Sequence, residues 1–185
     1  METGTCHRAL DSCNPHYMDL QTLIMIGHVV GTILGTGGAT IAEVQVNIAL
    51  KDGTVDASER ALMHANYWMI RLGLALIILS GIVLVWTLYQ SGETWALTSA
   101  KILTKEIITA VIILNAVAMT YRFVPLWLAA AVSFTSWWGA TLLGLTGRLP
   151  FTLVEYLFGY VVAIFVAAGI LQLMRKWIAG AEQAT

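Results

Sequence analysis

The chain has 185 residues, of which 58% are hydrophobic and 11% are charged, and its formal net charge is −1. A soluble domain carries about 25% charged residues, so this composition predicts a membrane protein made of one domain. The near-neutral charge excludes nucleic acid as a partner, because no basic stripe is present to neutralise phosphates.

A polar N-terminal tail, residues 1–19, precedes the first apolar run. It holds Cys6, His7, Cys13 and His16. Their spacing matches no established ligand pattern, so a metal site, a disulfide and an inert tail are all open interpretations. The tail lacks the basic region and the small-residue cleavage site of a secretory signal.

Five apolar runs follow, and each reaches the roughly 20 residues that a helix needs to span a bilayer. They are too long and too continuously apolar to be the alternating strands of a membrane barrel. The breaks KDGTVDASER, SGET, RFVP and GRLP carry turn-forming residues. The predicted fold class is therefore all-α: an integral membrane antiparallel bundle of five transmembrane helices over residues 20–180, with a short tail at 181–185. The predicted helices are about Leu20–Leu50, Ala61–Tyr89, Leu97–Tyr121, Pro125–Leu145 and Phe151–Ile178.

Basic residues near the helix ends predict the orientation, because cytoplasmic loops collect Lys and Arg. One face contains the first loop, the third loop and the C-terminus, with Lys51, Arg60, Arg122, Arg175 and Lys176. The opposite face contains Arg8, Lys101 and Arg148, and also Lys105 if that residue lies near the interface. The bias predicts an outside N-terminus and a cytoplasmic C-terminus.

Ionisable residues within the apolar runs are candidate site residues, since a charge inside a bilayer is costly unless it is paired or hydrated. At about 1.5 Å per residue, four of them fall at one depth in the outer half. These are His28, Lys105, Glu106 and Glu155. A neutral His28 can ligate a metal through one ring nitrogen while the other donates a hydrogen bond. Either this cluster is functional, with His28, Lys105 and Glu106 as catalytic candidates, or its members are satisfied structural groups.

A second group falls in the inner half. Glu43 and Arg71 lie at depths that an arginine side chain can bridge, so we expect them to form an ion pair. His64 lies nearer the cytoplasmic surface, about 25 Å from His28 along the helix axes. These two histidines therefore cannot ligate one iron together.

Small residues mark one side of the first helix, in the run GHVVGTILGTGGATIAE. Gly27, Gly31 and Gly35 recur at four-residue spacing, which lets neighbouring helices approach closely in lipid. The alternative is a smooth groove beside His28 that accepts a planar macrocycle against Gly31 and Gly35. Trp137, Trp68 or Trp138 would then be a stacking wall, although aromatic residues are also common at membrane interfaces.

The segments IGHVVGTILGTGGAT and SAKILTKEIITAVIILN resemble the first and third helices of small bacterial membrane proteins. These are the HemJ-type protoporphyrinogen oxidases and the CopD-type copper-resistance proteins. The resemblance covers roughly the first three helices, and a fifth helix departs from the four-helix HemJ pattern. It implies a bacterial inner membrane, and it implies that His28 and Lys105 take part in tetrapyrrole chemistry.

The sequence thus leaves three functions open. The first is a membrane protein that binds haem or porphyrin, with His28 as axial ligand or proton acceptor and Lys105 on a propionate. This version includes a membrane oxidoreductase that acts on a lipid-soluble tetrapyrrole or quinone. The second is a transporter or channel component for a small ion or metal, which a broken helix near Gly35–Gly38 would favour. The third is an accessory subunit that binds a membrane partner, or its own copy, through the glycine face.

Overall fold

A computed structural model describes residues 15–49, 56–147 and 149–182. The predicted metal or disulfide site of the N-terminal tail lies outside the described residues. The described part is helical and contains six helices, one of them a short turn of helix after α2. They are α1 (Pro15–Ala49), α2 (Ala57–Gln90), α3 (Thr94–Leu97), α4 (Ala100–Thr120), α5 (Leu126–Leu145) and α6 (Leu153–Glu182).

Five of these helices are long and apolar enough to cross a membrane, which confirms the predicted fold class. The candidate spans are Leu20–Ile48, Ala57–Gln90, Ala100–Thr120, Leu126–Leu145 and Leu153–Trp177. Large apolar side chains cover the outside of the bundle; Leu79 is 65% exposed and Phe165 is 69% exposed. Such a surface is stable against lipid tails rather than against water, so the protein is a multi-pass membrane protein.

Local sequence signals set several helix ends. Asp56 begins α2 with a capping box, in which its carboxylate accepts from the Glu59 amide and the Glu59 carboxylate accepts from the Asp56 amide. The hydrogen bond from the Glu59 amide holds the pKa of the Asp56 carboxyl below its usual value. At the C-terminal end of α5, the Lys101 ammonium donates to the carbonyl of the C-cap residue Thr146. A cation there complements the negative end of the helix dipole.

α5 lies at the centre of the described bundle and packs against α1, α4 and α6, while α2 packs against α1. Neighbouring helices are antiparallel, since Asn66 of α2 donates to the Gly38 carbonyl of α1 and Ser80 pairs with His28 further along both helices. α1 has no extensive contact with α4 or α6 in the described residues. α1 therefore meets α4 and α6 mainly through α5 and through individual side-chain contacts such as Glu43–Arg175.

Small residues allow α1 and α2 to pack closely. A Cβ added at Gly31 would lie 2.9 Å from the Gly73 carbonyl oxygen, and one added at Gly73 would lie 2.8 Å from that of Gly31. Gly38 is packed against Ile70 in the same interface. Around Gly27, by contrast, there is nothing within 4 Å of an added Cβ. The glycines at 31 and 38 thus serve helix packing within the chain, and the helix α1 is unbroken through positions 35–38.

Candidate functional site

His28 is anchored to α2 through one ring nitrogen. Its Nδ1 lies 2.9 Å from Ser80 Oγ, and that hydroxyl lies 2.5 Å from the Leu76 carbonyl oxygen. A serine hydroxyl has one hydrogen to donate, and the short contact directs it to Leu76. Ser80 Oγ therefore accepts from His28 Nδ1–H. The neutral ring then carries its proton on Nδ1, and its Nε2 lone pair has no hydrogen-bond partner among the described residues.

Lys105 supplies a positive charge beside this histidine. Its side chain is half-buried within the span of α4. The charge is close enough to act electrostatically on the His28 ring. Within residues 15–49, 56–147 and 149–182, no carboxylate or carbonyl oxygen pairs with the Lys105 ammonium. An unpaired ammonium in a membrane span is costly, so Lys105 is a candidate to bind an anionic group.

Helix geometry explains why the two side chains face the same space. His28 precedes Gly35 by two turns on one face of α1, and Lys105 precedes Ile108 by one turn on one face of α4. Gly35 and Ile108 both pack around the Trp137 ring of α5. Side chains lean toward the N-terminus of their helix, so His28 and Lys105 extend away from Trp137 in the same direction. We call His28, Ser80 and Lys105 the His28 site.

Trp137 of α5 is the aromatic residue that packs against Gly35, two turns along α1 from His28. Its ring is fully buried and packs with Ala39, Ile108 and Ile112. A Cβ added at Gly35 would lie 2.0 Å from its Cζ3 atom, so the ring already fills the space beside Gly35. Gly31 is likewise covered, by α2. The predicted role of Gly31, Gly35 and Trp137 in holding a macrocycle stays a prediction, and it requires the Trp137 ring to move.

Two acidic residues of the predicted outer cluster lie elsewhere. Glu106 is exposed on α4, about 100° around the helix from Lys105, and it does not join the His28 site. Glu155 accepts hydrogen bonds from the Thr152 amide and hydroxyl, at 2.7 and 2.9 Å, and caps the start of α6. The prediction that Glu155 lies with His28 and Lys105 is therefore wrong, because its carboxylate is used at its own helix end.

The predicted Glu43–Arg71 pair is also wrong. Glu43 pairs with Arg175 of α6, with Oε2 and Nη2 3.0 Å apart. Glu43 lies one turn after Ala39, on the face of α1 that packs against α5, whereas α2 packs against the other face. Arg71 is exposed and stacks over the Tyr67 ring, 4.2 Å from its centroid. Arg71 also lies at another depth. Asn66 meets Gly38 and Gly73 meets Gly31 and Gly35, which places Arg71 beside the middle of α1 rather than beside Glu43.

The remaining predicted residues lie at the surface. His64 accepts from Trp68 Nε1 at 3.3 Å on the exposed side of α2. It is about 24 Å along α2 from Ser80, the residue that binds His28, so the two histidines are at different ends of the bundle. Trp138 is partly exposed and donates to Thr40. In the part of the chain that the structure describes, no group of three His, Cys, Asp or Glu side chains is placed to hold a metal ion.

Sequence reasoning missed Ser80 and Arg175 as partners. Ser80 is a lone hydroxyl in the apolar run of α2, at the depth of His28, and that is a signal that the sequence does contain. Arg175 was assigned to the cytoplasmic surface. A regular hydroxyl series was missed as well: Thr32, Thr36 and Thr40 follow His28 at four-residue spacing, and Thr36 binds Thr141 of α5 at 2.7 Å. This series joins α1 to the central helix.

The fold defines a multi-pass membrane protein with five candidate membrane-spanning helices, in which His28 and the Glu43–Arg175 pair lie toward opposite ends of α1. Comparison of the chain with protein-family models, with curated proteins and with solved structures finds no match. The chemistry of the His28 site is therefore the basis for a functional proposal.

Proposed function

We propose that the protein binds haem or a related porphyrin at the His28 site and acts in membrane redox or tetrapyrrole chemistry. The observation that supports this most is the combination of a histidine with a bare Nε2 and an unpaired ammonium close to it. The first group suits an iron or a substrate proton. The second suits a carboxylate such as a propionate. A ligand that carries an iron or a transferable proton together with a carboxylate would bind both His28 and Lys105.

Each residue has a separate role in this proposal. His28 Nε2 would bind the iron or accept a substrate proton, and Ser80 holds the ring in the orientation and tautomer that leave Nε2 free. Lys105 binds an anionic substituent and so offsets its own desolvation. Trp137 offers an aromatic ring, and Glu106 has no part. When bound, haem would supply one-electron redox chemistry, for which the described residues offer a single histidine ligand.

The other two functions have less support. The transport hypothesis expects a broken helix near Gly35–Gly38, whereas α1 is continuous there. The fully buried Trp137 also separates the His28 site from the charges at the other end of the bundle. The accessory-subunit hypothesis uses the glycine face, and Gly31 and Gly35 are already covered by α2 and α5. Only Gly27 leaves that face open to a partner or a second copy.

The test is a haem titration of the detergent-purified protein followed by its visible spectrum. We expect a Soret band that saturates at one haem per chain and is lost in His28→Ala. Lys105→Met should weaken haem binding about tenfold, because a charge-assisted bond to a propionate is lost. His64→Ala is the matched control and should keep the wild-type band. A wild-type protein with no Soret band, or a band that survives His28→Ala, would exclude the proposal.

The setting of this function is part of the proposal. We place the protein in a bacterial inner membrane with its N-terminus outside, which puts the His28 site in the outer half of the bilayer. Support comes from the excess of basic residues at the other helix ends, including the exposed Lys176. Reporter fusions at the C-terminus test it: cytoplasmic reporters should be active there, and activity of a reporter that works only outside would reverse the orientation.

A further inference from the structure

A second polar site lies toward the opposite end of the bundle, where side chains of α1 and α6 meet. It consists of Glu43 and Asn47 of α1 and Arg175 of α6, and we call it the Glu43 site. All three residues belong to candidate membrane spans. Glu43 is 7% exposed and Asn47 is 9% exposed. The proposed haem function leaves this site without a role.

The Glu43 site is electrically neutral. Its carboxylate and guanidinium are 3.0 Å apart and cancel each other. A cation that approached Glu43 would be repelled by Arg175, and an anion that approached Arg175 would be repelled by Glu43. A ligand that suits this site is therefore uncharged.

Two buried polar atoms of the Glu43 site have no hydrogen-bond partner in the described part of the chain. They are Arg175 Nε and Asn47 Oδ1. The Asn47 amide group is already used, since Nδ2 donates to the Glu43 carbonyl at 2.8 Å. Unpaired polar atoms are especially costly inside a bilayer, where water is scarce. Arg175 Nε can only donate and Asn47 Oδ1 can only accept, so a single group that binds both atoms must accept one hydrogen bond and donate another.

We propose that the Glu43 site binds the hydroxyl head of an uncharged, membrane-soluble molecule, and that quinols are the class it takes. A hydroxyl group accepts through its lone pairs and donates through its hydrogen, so it satisfies both orphaned atoms. The apolar body of the molecule has apolar neighbours. Ala39 and Leu171 lie one turn from Glu43 and Arg175 respectively, and both are buried.

Access from the lipid requires α1 and α6 to move apart at the Glu43–Arg175 contact, because Glu43 and Leu171 are buried. α1 and α6 make no extensive contact with each other in the described residues, and the central helix presents the small residue Ala131 beside Leu171. A flat ring needs a smaller separation of the two helices than the branched head of a phospholipid does. An oxidised quinone presents carbonyl oxygens that only accept hydrogen bonds, and it leaves Asn47 Oδ1 unpaired. The reduced form should therefore bind more tightly than the oxidised form.

The experiment is a thermal-unfolding titration of the full chain in lipid nanodiscs with three probes: a decyl-substituted benzoquinol, the matching benzoquinone and decanol. The quinol should raise the unfolding temperature with a saturable dependence on its concentration, and the quinone should bind several-fold more weakly. Asn47→Leu removes the acceptor and should weaken quinol binding about tenfold. Arg175→Lys keeps the charge, removes Nε and should also weaken it. Asn115→Leu is the control, because that amide donates to the Ala129 carbonyl away from the Glu43 site.

Each outcome decides the matter. Equal binding of decanol and quinol would show a site for hydroxyl groups in general and overturn the quinol class. Quinol binding that Asn47→Leu leaves unchanged would overturn the site itself. If no probe gives a saturable shift, the orphaned atoms bind water only and the proposal fails. Because haem is measured by its Soret band and quinol by unfolding temperature, failure of one proposal is distinguishable from failure of the other.

Discussion

The contact between Gly35 and Trp137 gives the sharpest stability prediction. In Gly35→Ala, the new Cβ would lie 2.0, 2.2 and 2.3 Å from three carbon atoms of the buried indole ring. Carbon atoms rest at about 3.5–4.0 Å from one another, so the ring or the helix must move by about 1.5 Å. The ring is 0% exposed and packed by α1, α4 and α5, and it has no free space to enter.

The cost of such overpacking is about 1–3 kcal/mol or more. It is partly offset by the higher helix propensity of alanine, which contributes up to about 1 kcal/mol. Gly37→Ala isolates the second effect, because an added Cβ at position 37 meets nothing within 4 Å. We therefore expect Gly37→Ala to be as stable as the wild type or slightly more stable, and Gly35→Ala to be less stable than Gly37→Ala by about 2 kcal/mol.

Thermal unfolding in one detergent, followed by near-ultraviolet circular dichroism, measures this difference. The near-ultraviolet signal reports the environment of tryptophan and should change most in Gly35→Ala. Trp137→Phe in the Gly35→Ala background removes the closest ring atoms and should recover part of the loss. Equal unfolding temperatures for the alanine variants at 35 and 37 would refute the packing described for Trp137.

Three further predictions concern charged and hydrogen-bonded groups. Glu43→Gln or Arg175→Met alone should lower the free energy of unfolding by about 3 kcal/mol, because one charge loses its partner; the double variant should be more stable than either single one, and additive losses in unfolding experiments would contradict the pair. Ser80→Ala should weaken haem binding about tenfold in the Soret titration while Ser80→Thr preserves it, and equal effects of both would remove the hydroxyl's role in holding His28. The pKa of Asp56 is lowered in the folded state, so its stabilisation of α2 is present above the unfolded pKa and is lost as the pH falls through about 4 and below. Hydrogen exchange at the start of α2 should become faster in that pH range. Asp56→Asn caps the helix without titrating and should abolish the increase.

The helices themselves were predictable because the signal is strong. Five long apolar runs separated by turn residues admit few structures in a membrane, and α4 and α5 fall within a few residues of the predicted ends. The short helix α3 was missed, since four residues carry no periodicity. α2 also begins earlier than predicted, at Ala57 rather than Ala61, because the capping box of Asp56 and Glu59 starts the helix before its apolar run.

The partners of the site residues were less predictable. Residue number indicates how deep a side chain lies in the membrane, but it does not indicate which neighbouring helix the side chain faces. Depth was enough to place His28 and His64 at different ends. It failed for Glu43, whose partner depends on which neighbour covers that side of α1. Four-residue spacing of Gly31 and Gly35 indicated close packing, but only the fold shows that one glycine meets α2 and the other meets a tryptophan.

The proximity of His28 and Lys105 is the claim on which the proposed site depends, and a cysteine cross-link measures it directly. Cys6 and Cys13 are first replaced by Ser, and His28→Cys is then combined with either Lys105→Cys or Glu106→Cys. A short thiol-specific cross-linker in native membranes should join the 28/105 pair efficiently and leave the 28/106 pair largely unlinked. Equal yields for the two pairs, or no link between positions 28 and 105, would contradict the site.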